Sequence, residues 1–296
     1  MFDCVYFHIT RRCQLHCSYC YFDAGTHGKF PELQTREVLT ALHTLKRLQT
    51  KKIVFTGGEP LLREDLFLLA SYARGFAKTV LATNGLAVTP ENKYDILECF
   101  DDIRISLDGT RRRHDAYRGA GTYDKALQSA ILLGEQCAVT ITYTKQDEGH
   151  IGGLLERLTN TPIRRIYSTC VRKLGRATDR MIPSPERIRM EEDRFFGRET
   201  SEHVPSNACG AGHCAGKYMS IHPNGDLYPC HVLCSPTFYM GNILETEPSL
   251  ILHSPVIRHL QQIAETYNPQ KADLCIGERI NEHQTWEDYH FENPTY

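Results

Sequence analysis

Residues 11–22 read RRCQLHCSYCYF and place Cys13, Cys17 and Cys20 in a CxxxCxxC spacing. Three thiolates on one short loop can hold three irons of a [4Fe–4S] cluster, and no further cysteine lies close enough in sequence to bind the fourth iron. An iron with an open coordination position can bind and activate a small molecule, whereas a fully ligated cluster only carries electrons. Zinc is the chemical alternative, with His16 as the fourth ligand.

Composition is that of an ordinary globular protein. The 296 residues are 41% hydrophobic and 24% charged, and the formal net charge is −2, so we expect no basic surface for nucleic acid. No apolar run reaches the roughly 18 residues of a membrane span, and the N-terminus lacks the apolar core of a signal peptide. We therefore expect a cytoplasmic protein whose cysteines are thiolates and metal ligands rather than disulfides.

Short β-rich runs alternate with helical patterns through the first two thirds of the chain. The predicted strands cover residues 5–10, 53–56, 79–82, 103–107, 138–143 and 165–170. The predicted helices cover residues 35–49, 63–74, 90–99, 123–134 and 151–159. Repeated strand–helix units imply parallel strands joined by right-handed crossovers. Six strands are too few for a closed eight-stranded barrel, so the pattern predicts an α/β fold with an open partial barrel.

Residues with chemical potential follow these strands directly. The cysteine loop follows the first predicted strand, and ligands of parallel α/β sheets bind at the carboxyl ends of the strands. The residues at the next three strand ends are Gly57, Gly58, Glu59, Pro60, Asn84, Ser106 and Asp108. We expect all of these residues to meet the cysteine loop at one mouth of the sheet. Asn84 and Asp108 each precede a glycine and are also ordinary turn formers.

A change of pattern near residue 200 predicts a boundary between a first domain, residues 1–200, and a second, residues 201–296. The second segment contains Cys209, Cys214, Cys230, Cys234 and Cys275. The stretch between Cys214 and Cys230 has the pattern of a hairpin with Asn224-Gly225 as its turn, which would place the flanking cysteines side by side.

The order and spacing of Cys13, Cys17, Cys20 and the loop at residues 57–60 resemble the motifs of the radical S-adenosylmethionine (radical SAM) superfamily. The resemblance covers the first domain and implies a partial (β/α)6 barrel. It also implies that the open iron of a [4Fe–4S] cluster binds the amino and carboxylate groups of S-adenosylmethionine. One electron then cleaves this cofactor to methionine and a 5′-deoxyadenosyl radical, which takes a hydrogen atom from an unactivated C–H bond.

The same resemblance assigns roles to single residues. Gly57 and Gly58 would let the backbone approach the cofactor, where a Cβ would interfere, and Glu59 could face its ammonium group. Tyr19 and Phe22 would form an aromatic wall for adenine. Contacts to the ribose hydroxyls or the carboxylate would come from Asn84, Ser106, Asp108 and, after the last predicted strand, Arg176.

The second cysteine set resembles the auxiliary-cluster region of the SPASM/twitch subgroup, without the dense cysteine run that binds a second auxiliary cluster. The resemblance implies one auxiliary [4Fe–4S] cluster on Cys209, Cys214, Cys230 and Cys275. Zinc on the same ligands is the alternative, and Cys234 can replace Cys209 or Cys275. As a free thiol, Cys234 would be a candidate hydrogen-atom donor, with Cys170 as the weaker candidate; a buried inert thiol is the alternative for both.

Together these features predict an enzyme that removes a hydrogen atom from a ribosomally made peptide or a small natural product. The outcome would be epimerisation, crosslinking or dehydrogenation. The chain begins almost at its first strand, which leaves no room for an N-terminal leader-recognition domain. That observation slightly favours the alternative substrate, an aminoglycoside or another sugar-containing antibiotic. We expect flavodoxin or ferredoxin as the electron donor. A non-catalytic iron–sulfur electron carrier is the remote alternative.

Overall fold

The structure is a computed structural model that describes residues 1–26, 30–147, 151–184 and 216–266. These residues form a mixed α/β fold around one sheet. Its strands are β1 Cys4–Thr10, β2 Lys52–Gly57, β3 Lys78–Thr83, β4 Asp102–Ser106, β5 Cys137–Tyr143, β6 Arg165–Cys170, β7 Tyr218–Ile221 and β8 Leu227–Tyr228. The six strands predicted for the first domain are confirmed to within one residue at either end.

The sheet has the strand order β6-β5-β4-β3-β2-β1-β7-β8. Neighbours from β6 to β7 run parallel, and only β8 is antiparallel to its neighbour. Because β6 and β8 lie at opposite edges, the sheet is open, as expected for a partial barrel. The pairing of β7 with β1 was not predicted: a strand from the second segment extends the sheet of the first domain. The predicted hairpin turn is confirmed, since Gly225 between β7 and β8 has φ +91°.

The helices are α1 Thr35–Arg47, α2 Leu66–Arg74, α3 Lys93–Cys99, α4 Arg111–Arg118, α5 Thr122–Leu133, α6 Ile151–Thr159, α7 Pro248–Leu252 and α8 Pro255–Thr266. The five predicted helices of the first domain are present, although α2 and α3 begin three residues late. The late start of α3 follows from a turn in which Asn92 Oδ1 accepts from the backbone N–H of Thr89. Helix α4 was missed, because its sequence RRRHDAYR has no apolar period and buries only His114.

Strand alternation separates the two faces of the sheet. Side chains such as Phe7, Phe55 and Ile105 point outward and form the main core with the helices. The opposite face carries many polar side chains, among them His8, Arg104 and Ser106. The fold therefore buries its apolar surface on one side and leaves an inner face that can meet ligands. In the described parts of the chain, no helix is long and apolar enough to cross a bilayer. The predicted domain boundary near residue 200 lies outside the described residues and remains a prediction.

Candidate active site

The cysteine loop leaves the carboxyl end of β1 and is closed on itself by backbone hydrogen bonds. The Cys13 N–H donates to Gly25 O at 3.2 Å, and the Gly25 N–H donates to Arg11 O at 3.3 Å. Cys13 is buried, whereas Cys17 and Cys20 are half-buried, and all three are free thiols. The loop therefore presents three sulfur donors that are not consumed by disulfides.

The Cys13 thiol is buried but has hydrogen-bond donors. Its Sγ accepts from the Leu15 N–H at 3.4 Å and from Asn84 Nδ2 at 3.8 Å, and such donors stabilise a thiolate. Burial, together with the charges of Glu59, Cys17 and Cys20, nevertheless raises the pKa of the Cys13 thiol to about 11. A metal centre would displace these protons and hold the sulfurs as thiolates. Within the described ranges, no three His, Cys, Asp or Glu side chains converge as they would around a single metal ion.

Two glycines pack against the backbone of the cysteine loop. A Cβ on Gly57, which has φ +127°, would lie 2.4 Å from Thr10 O, and one on Gly58 would lie 2.1 Å from Arg12 O. The Gly58 N–H donates to Thr10 O at 2.7 Å, and the Glu59 N–H donates to Arg12 O at 2.8 Å. The glycines are thus required for contact between the two loops, and their expected role in the approach to the cofactor stays a prediction.

Glu59 links the carboxyl ends of β2 and β3 by hydrogen bonds. Its buried carboxylate accepts from the Thr83 hydroxyl at 2.8 Å and from the backbone N–H groups of Asn84 and Leu61 at 2.8 and 3.1 Å. Burial raises the pKa of Glu59, while these donors lower it. The carboxylate is occupied by protein donors, and the expected contact to an ammonium group stays a prediction. Pro60 is buried and opens a short 3₁₀ turn.

Asn84 and Ser106 lie at the mouth as expected. Asn84 exchanges hydrogen bonds of 3.4 Å with Gln14 beside Cys13, and its Oδ1 accepts from the Leu86 N–H at 2.9 Å. Ser106 is half-buried at the last position of β4, where it pairs with Thr140 of β5. Asn84 lies within reach of a ligand at the cysteine loop, because its Nδ2 is 3.8 Å from the sulfur of Cys13. The predicted contact of Ser106 stays a prediction.

Asp108 is the centre of a buried network. Its carboxylate accepts from Arg118 Nε at 2.5 Å, from the Thr142 N–H at 2.9 Å and from the Tyr19 hydroxyl. Burial opposes ionisation, yet the Arg118 guanidinium lowers the pKa of the Asp108 carboxyl below its ordinary value. The network joins β4, β5 and α4 to the cysteine loop. Asp108 and Tyr19 are therefore committed to protein partners, and their predicted contacts to the cofactor stay predictions.

Phe22 packs beneath the loop rather than at its surface. It is 6% exposed, stacks on the His8 ring at 4.3 Å and lies under the Arg11 guanidinium at 5.1 Å. His8 is fully buried, and neither of its ring nitrogens has a hydrogen-bond partner within the described residues. The adenine contact of Phe22 remains a prediction.

Arg176 clamps the cysteine loop from the segment after β6. Its Nε donates to Cys17 O at 2.8 Å, and its Nη1 donates to Ala24 O at 2.8 Å and to Asp23 Oδ1 at 2.7 Å. The preceding Gly175 has φ +57°, and a Cβ there would lie 2.2 Å from Cys20 O. The structure thus places Arg176 at the site, with its donors on the loop backbone.

The C-terminal cysteines are described only in part. Cys209, Cys214 and Cys275 lie outside the described residues, so their predicted ligand roles are untested. Cys230 is buried after β8, and the Sγ of Cys234 donates to Cys230 O at 3.2 Å. Burial raises the pKa of the Tyr21 phenol, and the charges of Cys20 and Cys234 raise it as well. The ring of His231, which lies just before Cys234 in sequence, is 5.9 Å from the ring of Tyr21, so this segment reaches the cysteine loop. Cys170 packs in the core on the helix-facing side, which favours an inert thiol.

Three residues of the site were missed by sequence reasoning. Arg118 and His114 lie on the unpredicted helix α4, and the backbone N–H of Asp108 donates to His114 Nδ1 at 3.1 Å. Among the three arginines that open α4 and Arg118 at its end, nothing in the sequence marks which one turns inward. Gly175 had a readable signal, since a glycine directly before a functional arginine often marks a close backbone approach.

Two family models match the chain. The radical SAM superfamily matches residues 7–148, which include the cysteine loop and the first four strand ends, and the iron–sulfur cluster-binding SPASM domain matches residues 209–276. The chain belongs to the radical SAM superfamily. It is a SPASM-type radical SAM protein, and its cofactors are S-adenosylmethionine, the [4Fe–4S] cluster that binds it and an auxiliary iron–sulfur cluster. The three free thiols of the loop, with the N–H donors at Cys13, fit the first cluster.

Curated relatives of this radical SAM protein include enzymes of several kinds. Pre-heme d1 synthase of Dinoroseobacter shibae is 34% identical over 181 residues, which are 58% of this chain and 44% of that protein. Mycofactocin maturase MftC of Mycolicibacterium smegmatis is 27% identical and covers 93% of this chain and 74% of its own length. PqqA peptide cyclase of Ruegeria pomeroyi is 31% identical, and the match covers 75% of this chain and 66% of that protein. The chain thus spans less than half of the first relative and about three quarters of the second.

Solved radical SAM structures share the fold. The anSMEcpe structure with bound AdoMet has a TM-score of 0.74 at 16% identity and covers 93% of this chain and 88% of its own. Streptococcus suis SuiB bound to S-adenosylmethionine has a TM-score of 0.72 at 16% identity, and the match covers 88% of this chain and 68% of SuiB. At this identity, the likeness establishes the partial-barrel fold and does not extend to the substrate.

Proposed function

We propose that this radical SAM enzyme removes a hydrogen atom from a C–H bond of a peptide substrate and thereby epimerises, crosslinks or dehydrogenates it. The observation that carries the chemistry is the loop with three free thiols, packed against the glycine pair at the mouth of the sheet. The peptide assignment is supported by the relatives named PqqA peptide cyclase and mycofactocin maturase, which cover 75% and 93% of the chain.

Cys13, Cys17 and Cys20 would hold the first cluster, and reductive cleavage of S-adenosylmethionine is the chemistry that this cluster supplies. The chain's own residues position it. Arg176 fixes two carbonyl groups of the loop, and Asn84 donates to the sulfur of Cys13. Ser106 is available for a polar contact at the end of β4. The mouth is thus organised around the loop before any ligand binds, which lowers the entropic cost of binding.

Cys209, Cys214, Cys230 and Cys275 are proposed to hold the auxiliary cluster, with Cys234 as a replacement for Cys209 or Cys275. If Cys234 is free, it is the proposed hydrogen-atom donor of an epimerase, because the segment that carries it reaches the cysteine loop, where the ring of His231 lies 5.9 Å from that of Tyr21. Flavodoxin or ferredoxin remains the proposed electron donor.

The test is anaerobic reconstitution with iron and sulfide, followed by dithionite, S-adenosylmethionine and precursor peptides encoded beside the gene. We expect 5′-deoxyadenosine and a modified peptide, detected by mass spectrometry as a loss of hydrogen or, for epimerisation, as deuterium taken up from D₂O. Protein with intact clusters that forms no 5′-deoxyadenosine would contradict the enzyme assignment.

A Cys234→Ala variant tests whether this thiol donates the hydrogen atom in an epimerisation. For an epimerase, we expect 5′-deoxyadenosine to form while deuterium incorporation into the peptide is lost. Undiminished incorporation in this variant would remove Cys234 from the reaction. Cys170→Ala is the matched control, since Cys170 lies in the core on the other face of the sheet.

A heme precursor is the second candidate substrate, because the pre-heme d1 synthase is 34% identical over 58% of the chain. It is tested in the same assay with iron-containing porphyrins in place of peptides. The aminoglycoside alternative stays a prediction.

A further inference from the structure

A charged cluster lies on the inner face of the sheet, away from the cysteine loop. Asp102 and Arg104 alternate along β4 with outward-pointing Ile103 and Ile105, so both face inward. Arg165, the first residue of β6, faces inward as well. Asp102 Oδ2 accepts from Arg104 Nε at 2.9 Å, and Asp102 Oδ1 accepts from Arg165 Nη1 at 2.6 Å.

The cluster has more positive than negative charge. Asp102 is shared by two guanidinium groups, so one positive charge has no carboxylate partner in the part of the chain that the structure describes. The inner face of the described strands carries no other carboxylate, while Lys52 and Lys78 add cations at the amino ends of β2 and β3. The side chains of Arg104 and Arg165 are 21% and 24% exposed, so the cluster is partly withdrawn from water. An anion entering this space would be attracted and only partly screened.

Arg104 has the hydrogen-bonding capacity to receive such an anion. Its only hydrogen bond within the described residues is made by Nε, so Nη1 and Nη2 have no protein partner there. Arg165 differs, because its Nη2 already donates to Gln136 O at 2.7 Å. The Arg104 guanidinium lies 4.1 Å from the centre of the Tyr167 ring, which fixes its plane. Nη1 and Nη2 of Arg104, held in a fixed plane, can each donate one N–H to an oxygen of a carboxylate.

The position along the strand suits a substrate contact. Ser106, at the mouth, lies two residues beyond Arg104 on the same face of β4, a rise of about 6.6 Å. A group held by Arg104 therefore lies deeper in the partial barrel than a ligand at the cysteine loop, at the distance of a few covalent bonds.

We propose that Arg104, held by Asp102 and stacked on Tyr167, binds a carboxylate of the substrate inside the partial barrel. The inference rests on the proposed function, since it takes the occupant to be the enzyme's peptide substrate. The carboxylate belongs either to the C-terminus of the peptide or to an acidic side chain, and the two sources share the same chemistry at Arg104.

Isothermal titration of the anaerobic holoenzyme tests the site with three peptide probes. N-acetylglycyl-L-leucine carries a terminal carboxylate, its amide carries none, and N-acetyl-L-glutamyl-L-leucinamide carries only a side-chain carboxylate. We expect at least one acid to bind about tenfold more tightly than the uncharged amide, the usual gain from a charge-assisted pair. The acid that binds more tightly shows whether the site accepts a terminal or a side-chain carboxylate. Equal binding of all three probes would overturn the inference.

Substitutions in the charged cluster test whether the preference for the acid depends on Arg104. Arg104→Gln should abolish the preference for the acid, and Arg104→Lys should keep part of it, because lysine retains the charge without the planar fork. Asp102→Asn should strengthen acid binding severalfold by removing the competing carboxylate. Arg74→Gln, a change at an exposed arginine paired with Asp101 on the helix side, is the matched control and should bind as wild type. Iron content and thermal melting check that each variant is folded.

The remaining outcomes separate this inference from the function on which it rests. An acid preference that survives Arg104→Gln would overturn the inference. An acid preference that depends on Arg104, in an enzyme that modifies no peptide, would reject the peptide substrate and keep the carboxylate site. Turnover of a peptide whose carboxylates are all blocked, at the unblocked rate, would reject the carboxylate site alone.

Discussion

Arg118 on α4 and Asp108 at the end of β4 form a buried ion pair, with 2.5 Å between Nε and Oδ2. The side chains are 10% and 2% exposed. Through the Tyr19 hydroxyl, which donates to the same carboxylate, the pair reaches the cysteine loop. The helix without an apolar period thus holds the loop in place by charge rather than by apolar burial.

Breaking this pair should destabilise the protein strongly. Asp108→Asn leaves the Arg118 charge buried without a partner, and we expect a loss of about 3–5 kcal/mol in the free energy of unfolding. Urea denaturation of the anaerobic holoprotein, followed by circular dichroism, measures it. Arg111→Gln is the control, since its pair with Asp124 on the surface should contribute less than about 1 kcal/mol. Equal losses in both variants would contradict the structural role of the pair.

Gly58→Ala should impair the cysteine loop. The added Cβ would lie 2.1 Å from Arg12 O and 2.9 Å from Arg11 C, and a rigid backbone cannot move aside as a side chain can. We expect a clear fall in iron bound per chain after reconstitution. Gly25→Ala is the control, because Gly25 pairs directly with the cysteine loop but its Cβ would meet only His16 Nδ1 at 3.6 Å, so this variant should bind iron like the wild type. Normal iron content in Gly58→Ala would show that the two loops do not depend on each other's contact.

Arg176→Ala should loosen the loop without touching a cysteine. The change leaves the carbonyl groups of Cys17 and Ala24 without their donors, and each unsatisfied acceptor costs about 1–3 kcal/mol. We expect iron to be removed by a chelator about tenfold faster or more. Lys173→Ala is the control, because Lys173 and Asp179 are both largely exposed. Release at an unchanged rate in Arg176→Ala would mean that other contacts hold the loop.

His114 should make stability fall on acidification. Burial lowers its pKa to about 4, although the Asp108 charge acts in the opposite direction. An unfolded histidine titrates near 6.5, so below that pH the unfolded chain binds a proton that the folded chain refuses. The contribution of His114 to the free energy of unfolding is fully present above pH 6.5 and is lost as the pH falls towards 4. By pH 5, about 2 kcal/mol of it is lost. His114→Gln should reduce the loss between pH 7.5 and 5 by that amount in urea denaturation, and an unchanged loss would contradict it. The other buried histidines contribute equally to both proteins.

Sequence reasoning succeeded where a pattern is local. The six strands of the first domain follow from apolar β-rich runs, and the spacing of Cys13, Cys17 and Cys20 identified the loop and its family. The mouth at the strand ends follows from parallel topology alone. Asn84 lies beside Cys13 at this mouth, since both follow the carboxyl ends of parallel strands of one sheet.

The hydrogen-bond partners of the site residues could not be predicted from local sequence patterns. Glu59, Asp108 and Arg176 were predicted to face the cofactor, which stays a prediction, and their hydrogen bonds to Thr83, Arg118 and Cys17 were not predicted. Each hydrogen bond joins residues from 10 to 159 positions apart in sequence, and no local pattern encodes such a distance. The pairing of β7 with β1 was missed for the same reason.

The amino-acid sequence by itself therefore determined the parallel α/β architecture and the three sulfur donors, because period and spacing are properties of neighbouring residues. Only the tertiary structure decided which charges are neutralised by protein and which are left over. Asp108 is satisfied by Arg118, whereas Arg104 keeps N–H groups on the inner face that have no partner among the described residues. Electrostatic balance depends on distances in space, and those distances are set only when the strands have assembled.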